Sequence, residues 1–407
     1  MANTLSCQDV YALMNEIVSE ATARTDLAVV DTSSFVSVGE TVLRTGTEQT
    51  LNAISTVLGR TIFSVRPYKG KLESLRVAQE RWVIMTRKVV NLYDEAEASQ
   101  DRHTQLYNAS TNPQLDDNNS IDMYRIRKPK VLQLNFYGTK VLQKHITVFR
   151  DQLSEAFRNE SEFARFIDSV MVEFANEVEM LNEAESRATL INYIAGISAM
   201  NGTVIDLVAN FNATHNTTYT RDELLSTYLT EFMQYIASTI KIYSEKLTDN
   251  TTKYHANLSQ YAPIMRHTPK SKQKMIMYNA PFITAKATVY SEIFNPQYLD
   301  IGDFEGVNYW QSNKDGNEAK INCKPNILNV TTGESTTASA PVTLNYVLGI
   351  LFDSDAIGVT PQFEYSSTTP FNSAGGYWNN FIHWRFNAWT DYTENAILFV
   401  LGEGGAS

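Results

Sequence analysis

Apolar and charged positions separate most cleanly between Asp151 and about Met200. Phe163, Phe166, Ile167, Val170, Met171, Phe174, Val178 and Leu181 recur at steps of three and four, the repeat of one helix face. Glu162, Arg165, Asp168, Glu173, Glu177, Glu179 and Glu183 fall between them and are assigned to the opposite side. Asn159, with Glu162 three residues on, reads as an N-cap pair whose amide oxygen answers an early helix N–H. A second apolar set, Ala188, Leu190, Ile191, Tyr193, Ile194 and Ile197, carries the pattern towards Gly202. About 40 residues at a rise of about 1.5 Å make a rod of roughly 60 Å, a spine for something large to pack on. The spacing is helical and not heptad, and it lasts too few turns for a coiled-coil dimer.

Ahead of the spine, residues 8–23 are predicted to form a short amphipathic helix with Val10, Leu13, Met14, Ile17 and Val18 on one side. Phe35–Gly39 reads as the start of an extended arm, followed by a helix over about Glu48–Leu58. Thr61–Val65 alternates like a strand that Pro67 ends. From Tyr68 to Phe149 the character changes. Arg81–Met85, Lys88–Tyr93, Met123–Ile126 and Val131–Phe136 are strand material on either side of a polar, turn-rich tract, Asn108–Asn119. Together they predict a long projecting hairpin. Its flank carries Arg125, Arg127, Lys128 and Lys130, either a solvated face or a grip on the acidic side of a neighbouring copy.

Beyond the spine, Asn210–Thr220 is expected to be a loop. Thr220 and Glu223 then form a capping box that opens one helix to about Lys246, with Leu224, Leu225, Tyr228, Leu229, Phe232, Met233, Ile236, Ile240 and Tyr243 as its apolar set. Lys274–Tyr278 is a buried-type strand, and Pro281–Phe294 a short helix stopped by Asn295-Pro296. Asn322–Pro341 is strand and Thr/Ser-rich loop, and Asn345–Phe352 a strongly apolar strand. An aromatic run from Trp378 leads to a closing strand, Ala396–Leu401. The fold class is α+β.

Composition narrows the function. A net charge of −11 argues against a dedicated nucleic-acid surface. Only 19% of residues are charged while 11% are aromatic, a balance that leans towards surface covered by partners. Two cysteines far apart, Cys7 and Cys323, are expected to be reduced thiols of a cytoplasmic product. The N-terminus has no basic segment or long apolar run, and no window suits a membrane span, so a soluble product is expected.

Catalytic chemistry finds no footing. His103, His145, His215, His255, His267 and His383 are scattered without the spacing of a metal site, and no phosphate loop, dinucleotide fingerprint or nucleophile elbow occurs. Glu177, Glu179, Glu183 and Glu185 could converge on a metal, but spread over more than one helix face they read as a solvated side. Asp353 and Asp355 follow an apolar strand, where α/β enzymes place acids, yet a turn leading to Gly358 accounts for them. No catalytic, cofactor-binding or metal-ligating residue is assigned. One rival reading remains: a monomeric α+β carbohydrate-binding protein or enzyme with an aromatic cleft in 300–390, lined by Tyr298, Tyr309, Trp310, Tyr377, Trp378, Trp384 and Trp389.

The order of elements adds a family likeness. Leu351–Val359, then Tyr377-Trp-Asn-Asn-Phe-Ile-His-Trp384, then Asp391–Leu401 resemble the end of major capsid proteins of tailed bacteriophages, of the Hong Kong 97-like fold and closest to the phi-29 kind. Ile293–Asn295, Gln297–Leu299 and Phe35–Gly39 resemble further family segments. The resemblance implies an N-terminal arm (1–60), an extended loop hairpin (61–150), a spine helix with the peripheral domain (151–280), an axial domain (281–360) and a C-terminal return strand of the peripheral domain (361–407). It also implies self-assembly into pentamers and hexamers of an icosahedral shell, made in a bacterial host's cytoplasm and carried in the virion. Scaffold protein, portal ring and weakly held double-stranded DNA would be the partners. Some members cross-link a loop lysine to a neighbour's asparagine. Lys69, Lys71 and Lys88 are present here without an aligned partner or helping acid, so no cross-link is expected.

Overall fold

A computed structural model gives the fold. It describes residues 7–22, 29, 32–45, 53, 69–77, 86–92, 124, 126, 128, 130–137, 139–151, 160–200, 203–258, 263–291 and 304–403. Two helices come first, α1 (Cys7–Thr22) and α2 (Thr32–Thr45), packed on one another and on the spine. Met14, Ile17 and Val18 are buried, as their spacing predicts. The segment expected to start an extended arm is instead part of α2. Phe35, Val38 and Val42 stand at steps of three and four, and burying that stripe outweighs the weak helix propensity of valine. The joint between the helices is held by Asn15, which accepts the Val29 N–H at 2.6 Å and donates to its carbonyl at 3.2 Å. The expected helix at Glu48–Leu58 and strand at Thr61–Val65 lie outside the described residues, except for the buried Ala53.

The hairpin base is present. Strands β1 (Thr86–Asn91) and β2 (Val131–Phe136) pair antiparallel, with Val90 opposite Leu132. Its inner face buries Val90, Leu92 and Leu132 against Leu258 and Ile264, so this base is seated on the rest of the chain and does not project. Tyr124 lies in a turn and Ile126 is not in a strand, unlike the expectation for Met123–Ile126. The expected strand at Arg81–Met85 and the polar tip at Asn108–Asn119 lie outside the described residues. Strand β3 (Thr139–Phe149) was expected only as part of the loop, yet it is a regular strand of 11 residues.

The spine helix α3 runs from Glu160 to Ala199, 40 residues, as the stripe predicts. Asn159 lies outside the described residues, and the side chains of the spine are described from Asn176 on. There the second apolar set is buried at Leu190, Ile191, Tyr193, Ile194 and Ile197, whereas Ala188 is exposed. A short strand β4 (Val204–Asp206) follows, then α4 (Leu207–His215) where a loop was expected. The Asp206 carboxylate caps α4 by accepting the Val208 and Ala209 N–H groups at 3.0 and 3.2 Å. The Thr220–Glu223 capping box forms, with the Glu223 carboxylate 2.8 Å from the Thr220 N–H. The single helix expected after it is two, α5 (Arg221–Ser226) and α6 (Leu229–Lys246). The break falls where the Ser226 hydroxyl turns back on the Asp222 carbonyl at 2.6 Å and the Tyr228 ring stacks on Tyr219.

The remaining elements are β5 (Gln273–Tyr278), α7 (Ala280–Ser291), β6 (Glu305–Val307), β7 (Ile321–Cys323), β8 (Asn326–Leu328), β9 (Ser335–Thr337), β10 (Val342–Leu344), β11 (Val347–Asp353), β12 (Ile357–Thr368), β13 (Tyr377–Thr390) and β14 (Ala396–Val400). A five-stranded sheet in the order β4-β14-β11-β5-β6 forms the centre, antiparallel across β14-β11-β5 and parallel at both edges. One face, with Ile276, Ile350, Phe352 and Leu398, packs on the C-terminal half of the spine. The other, with Met277, Leu351, Ile397 and Phe399, packs on α4 and α6 through Phe211, Phe232, Met233 and Ile236. Every residue of β11 is buried because both faces are covered, which is why it reads as an unbroken apolar run. A second sheet, β12-β13-β3, joins the strand leading into the spine to the long C-terminal hairpin.

Candidate functional site

The four spine glutamates end in ion pairs, and neither a metal site nor a solvated face results. Glu177 meets Lys144, and Glu185 meets Lys140, both lysines from β3. Glu179 receives the Arg76 guanidinium at 2.7 and 3.0 Å and the Gly70 N–H at 3.0 Å. Glu183 receives Arg187 at 2.6 Å and the Lys71 N–H at 3.3 Å. Glu179 and Arg187 are buried, and their respective partners Arg76 and Glu183 offset charges that would be costly alone. The Arg187 guanidinium also lies 4.0 Å over the Tyr309 ring.

These pairs fasten the segment 69–77 across the spine. A further carboxylate, Glu305, accepts the Leu72 N–H and the Ser74 hydroxyl. Leu72 has φ 65°, a left-handed conformation costly for a side chain with a Cβ, and the three carboxylates along this segment over-determine it. Arg76 and Glu305 went unnoticed in the sequence. Arg76 is 103 positions from Glu179, and Glu305 is 231 from Ser74, so no local pattern could pair them.

The hairpin is seated by a second charge cluster. Lys88 Nζ lies 2.8 Å from Asp391 and also meets Glu394, while Arg266 Nη2 is 3.0 Å from Glu394. Burial works against the Lys88 charge, but Asp391 and Glu394 together outweigh it and hold the amine above the ordinary lysine range. Burial pushes Glu394 up, with Lys88 and Arg266 pulling the other way. The two directions pull apart across one contact. Two cations thus face two acids within this one cluster.

The other lysines singled out by the sequence also meet partners of their own chain: Lys69 Nζ is 3.1 Å from Glu73, and Lys71 Nζ is 3.0 Å from Asn308. On the hairpin flank, Lys128 and Lys130 are exposed, while Arg125 and Arg127 lie outside the described residues. Asp353 accepts the Asp355 N–H at 2.9 Å and the Thr268 hydroxyl at 2.9 Å, and Asp355 pairs with Lys272 at 3.1 Å, the turn role read from the sequence. His145 rests on Phe381 and His215 on Phe211, while His255 binds Asn395 and a carbonyl. Among the described residues no group of three or more His, Cys, Asp or Glu side chains is arranged to hold a metal. Cys323 is a free, half-buried thiol.

The aromatic cleft of the rival reading does not assemble. Trp310, Trp378 and Trp384 are buried in the core, and the Trp310 indole N–H donates to the Val347 carbonyl at 2.8 Å. Tyr309 lies under Arg187, and Tyr377 packs edge-on to Phe149. Tyr298 lies outside the described residues. A groove of about 740 Å³ does run between β2, the spine and the β8–β9 hairpin, but of these aromatics only Trp389 lines it. Among the described residues no helix is long and apolar enough to cross a membrane.

This architecture has counterparts among known proteins. A family model for the Phi29-like phage major capsid protein matches residues 13–400. No curated protein matches the chain. Among solved structures, the capsid of Staphylococcus phage Andhra is similar at 10% identity and a TM-score of 0.52, covering 83% of this chain and 86% of that one. A structure of the head fiber and inner core protein gp22 of native bacteriophage P68 aligns at 12% identity and a TM-score of 0.48, with the same coverages. The first likeness shows the fold, the Hong Kong 97-like α+β arrangement that the order of elements implied. With the family model running over nearly its whole length, the chain belongs to the Phi29-like phage major capsid protein family, a structural component of the virion and not an enzyme.

Proposed function

We propose that this subunit builds pentamers and hexamers of a closed icosahedral shell around double-stranded DNA. The reading rests most on one contrast within the chain. A central sheet covered on both faces makes a stiff hub, which also takes in Leu72 and Leu75, while the hairpin is attached by ion pairs and a small apolar seat of its own. The hairpin can be re-aimed from one shell position to another by disturbing that small seat alone, with the central core left closed. The layout follows the arm at 1–60, the extended loop at 61–150, the spine and peripheral region at 151–280, the axial region at 281–360 and the return strand at 361–407. These are stretches of chain and not separate cores, since the central sheet takes strands from the last three.

The loop tip at about 108–119 would overlie an adjacent subunit. Assembly would proceed in the host cytoplasm with a scaffold protein and a portal ring as partners. A net charge of −11 suits a shell that contains DNA without gripping it. The chain is expressed with and without its scaffold and viewed by negative-stain electron microscopy. Closed shells, with no covalent ladder on a denaturing gel, are expected, and deletion of 108–119 should abolish shells while leaving the subunit folded. A monomer that persists beside scaffold would overturn the reading.

A further inference from the structure

Beneath the hairpin runs a buried hydrogen-bonded chain with one proton too few. His255 Nε2 lies 2.8 Å from the Ile264 carbonyl and Nδ1 2.9 Å from the Asn395 side-chain oxygen. The Asn395 amide nitrogen is 3.2 Å from the Thr268 hydroxyl, which is 2.9 Å from the Asp353 carboxylate. Asn395 and Thr268 are fully buried and Asp353 is 6% exposed, so bulk water reaches this chain only at the half-buried His255 end and cannot complete a link among the other three. Both ends, a carbonyl and a carboxylate, can only accept. Between them stand three groups, and each in its neutral form offers one donor and one acceptor along the chain. Three donors cannot serve four links, whichever way the Asn395 amide is turned. One link stays open unless the network holds an extra proton, on the imidazole or on Asp353.

We infer that this network is a proton-operated catch for the β1–β2 hairpin, closing when it takes up one proton. The mechanical connection is short. The carbonyl of Ile264 ends the network, and its side chain is fully buried with Leu258 in the hairpin's seat, against Val90, Leu92 and Leu132. The Ile264 N–H donates to Asn257, and the Ala256 N–H reaches the Tyr392 carbonyl at 2.8 Å, joining this loop to the turn that holds Lys88. The charged and titratable groups around His255 are Lys253, Tyr254 and Arg266 on its own loop, Tyr392 and Glu394 on the return turn, and Tyr193 on the spine. Asp353 joins through Thr268 at the end of β11, while Asp391 and Lys88 lie beyond Glu394. Burial, with Arg266 adding to it, lowers His255 from its ordinary value, so the catch closes on the acid side of the usual imidazole range.

Amide exchange of the unassembled full-length chain, corrected for intrinsic rates, tests this between pH 8 and 5. Protection at Ile264 and Leu132 should rise about tenfold on acidification, the worth of one added buried link. Asp353→Asn turns one end into a donor and supplies the missing hydrogen, so protection should be high at every pH. His255→Gln should leave it low at every pH. A flat wild-type profile, or an Asp353→Asn profile with the wild-type step, would overturn the inference. Should Asp353→Asn not fold, labelled wild-type protein decides: the His255 ring and Asp353 carboxyl resonances must shift over one shared pH interval, and separate titrations would refute the shared proton.

Discussion

The two sides of the spine are held by different physics. On its C-terminal half the central sheet is buried on both faces, and residues such as Phe352, Leu398 and Phe399 are fully enclosed. On the other side, strand β3 and the polar flank of segment 69–77 meet the spine through four glutamates, though Leu72 and Leu75 of that segment reach into the core, and the hairpin rests on a small apolar seat plus the Lys88 cluster. Apolar burial is non-directional and cooperative, so the first region has one good arrangement. Ion pairs are directional and respond to pH and salt, so the second can be adjusted while the first stays intact. A shell subunit needs both.

Three substitutions grade that difference. Phe352→Ala, which empties a fully buried site edge-on to Tyr193, should cost about 3–5 kcal/mol in denaturant unfolding of the free subunit. A loss below about 1 kcal/mol would mean that the central sheet is less tightly packed than described.

Lys88→Met should cost less, about 3 kcal/mol, because it strands the buried Asp391 while Arg266 still meets Glu394. The loss should appear as faster amide exchange in β1 and β2 with the central sheet unchanged. The same lysine sets a pH dependence. Its folded pKa is raised, so its contribution is complete below the unfolded value of 10.5 and is lost as pH climbs through the folded one. Melting curves from pH 9 to 11.5 should converge for wild type and Lys88→Met at the alkaline end. Parallel curves would remove the cluster from the hairpin's anchorage.

Lys272→Ala breaks a half-exposed pair with Asp355 and should change stability by less than about 0.5 kcal/mol. A larger effect would put this surface pair on a level with the buried Lys88 cluster.

The sequence was most legible where one residue's environment repeats along one element. The spine's extent, the capping box at Thr220 and the unbroken apolar run of β11 all follow from local periodicity and local hydrogen bonding. It misled where two local readings compete. Phe35–Gly39 alternates enough to suggest an extended arm, but the three-and-four spacing of Phe35, Val38 and Val42 wins once α1 and the spine are there to cover it. The spine glutamates looked solvated because helix periodicity shows only which side they are on, not that β3 and Arg76 cover that side.

The sequence by itself determined the class, the spine, the doubly covered strands and the absence of a recognisable catalytic motif, since each is written in neighbours a few positions apart. Tertiary structure alone decided what the charges do. Arg76 with Glu179, Lys88 with Asp391, and His255 with Asn395 are separated by 103, 303 and 140 positions. Their meeting depends on chain segments brought together by the burial of other residues, and a charge carries no pattern that names its partner.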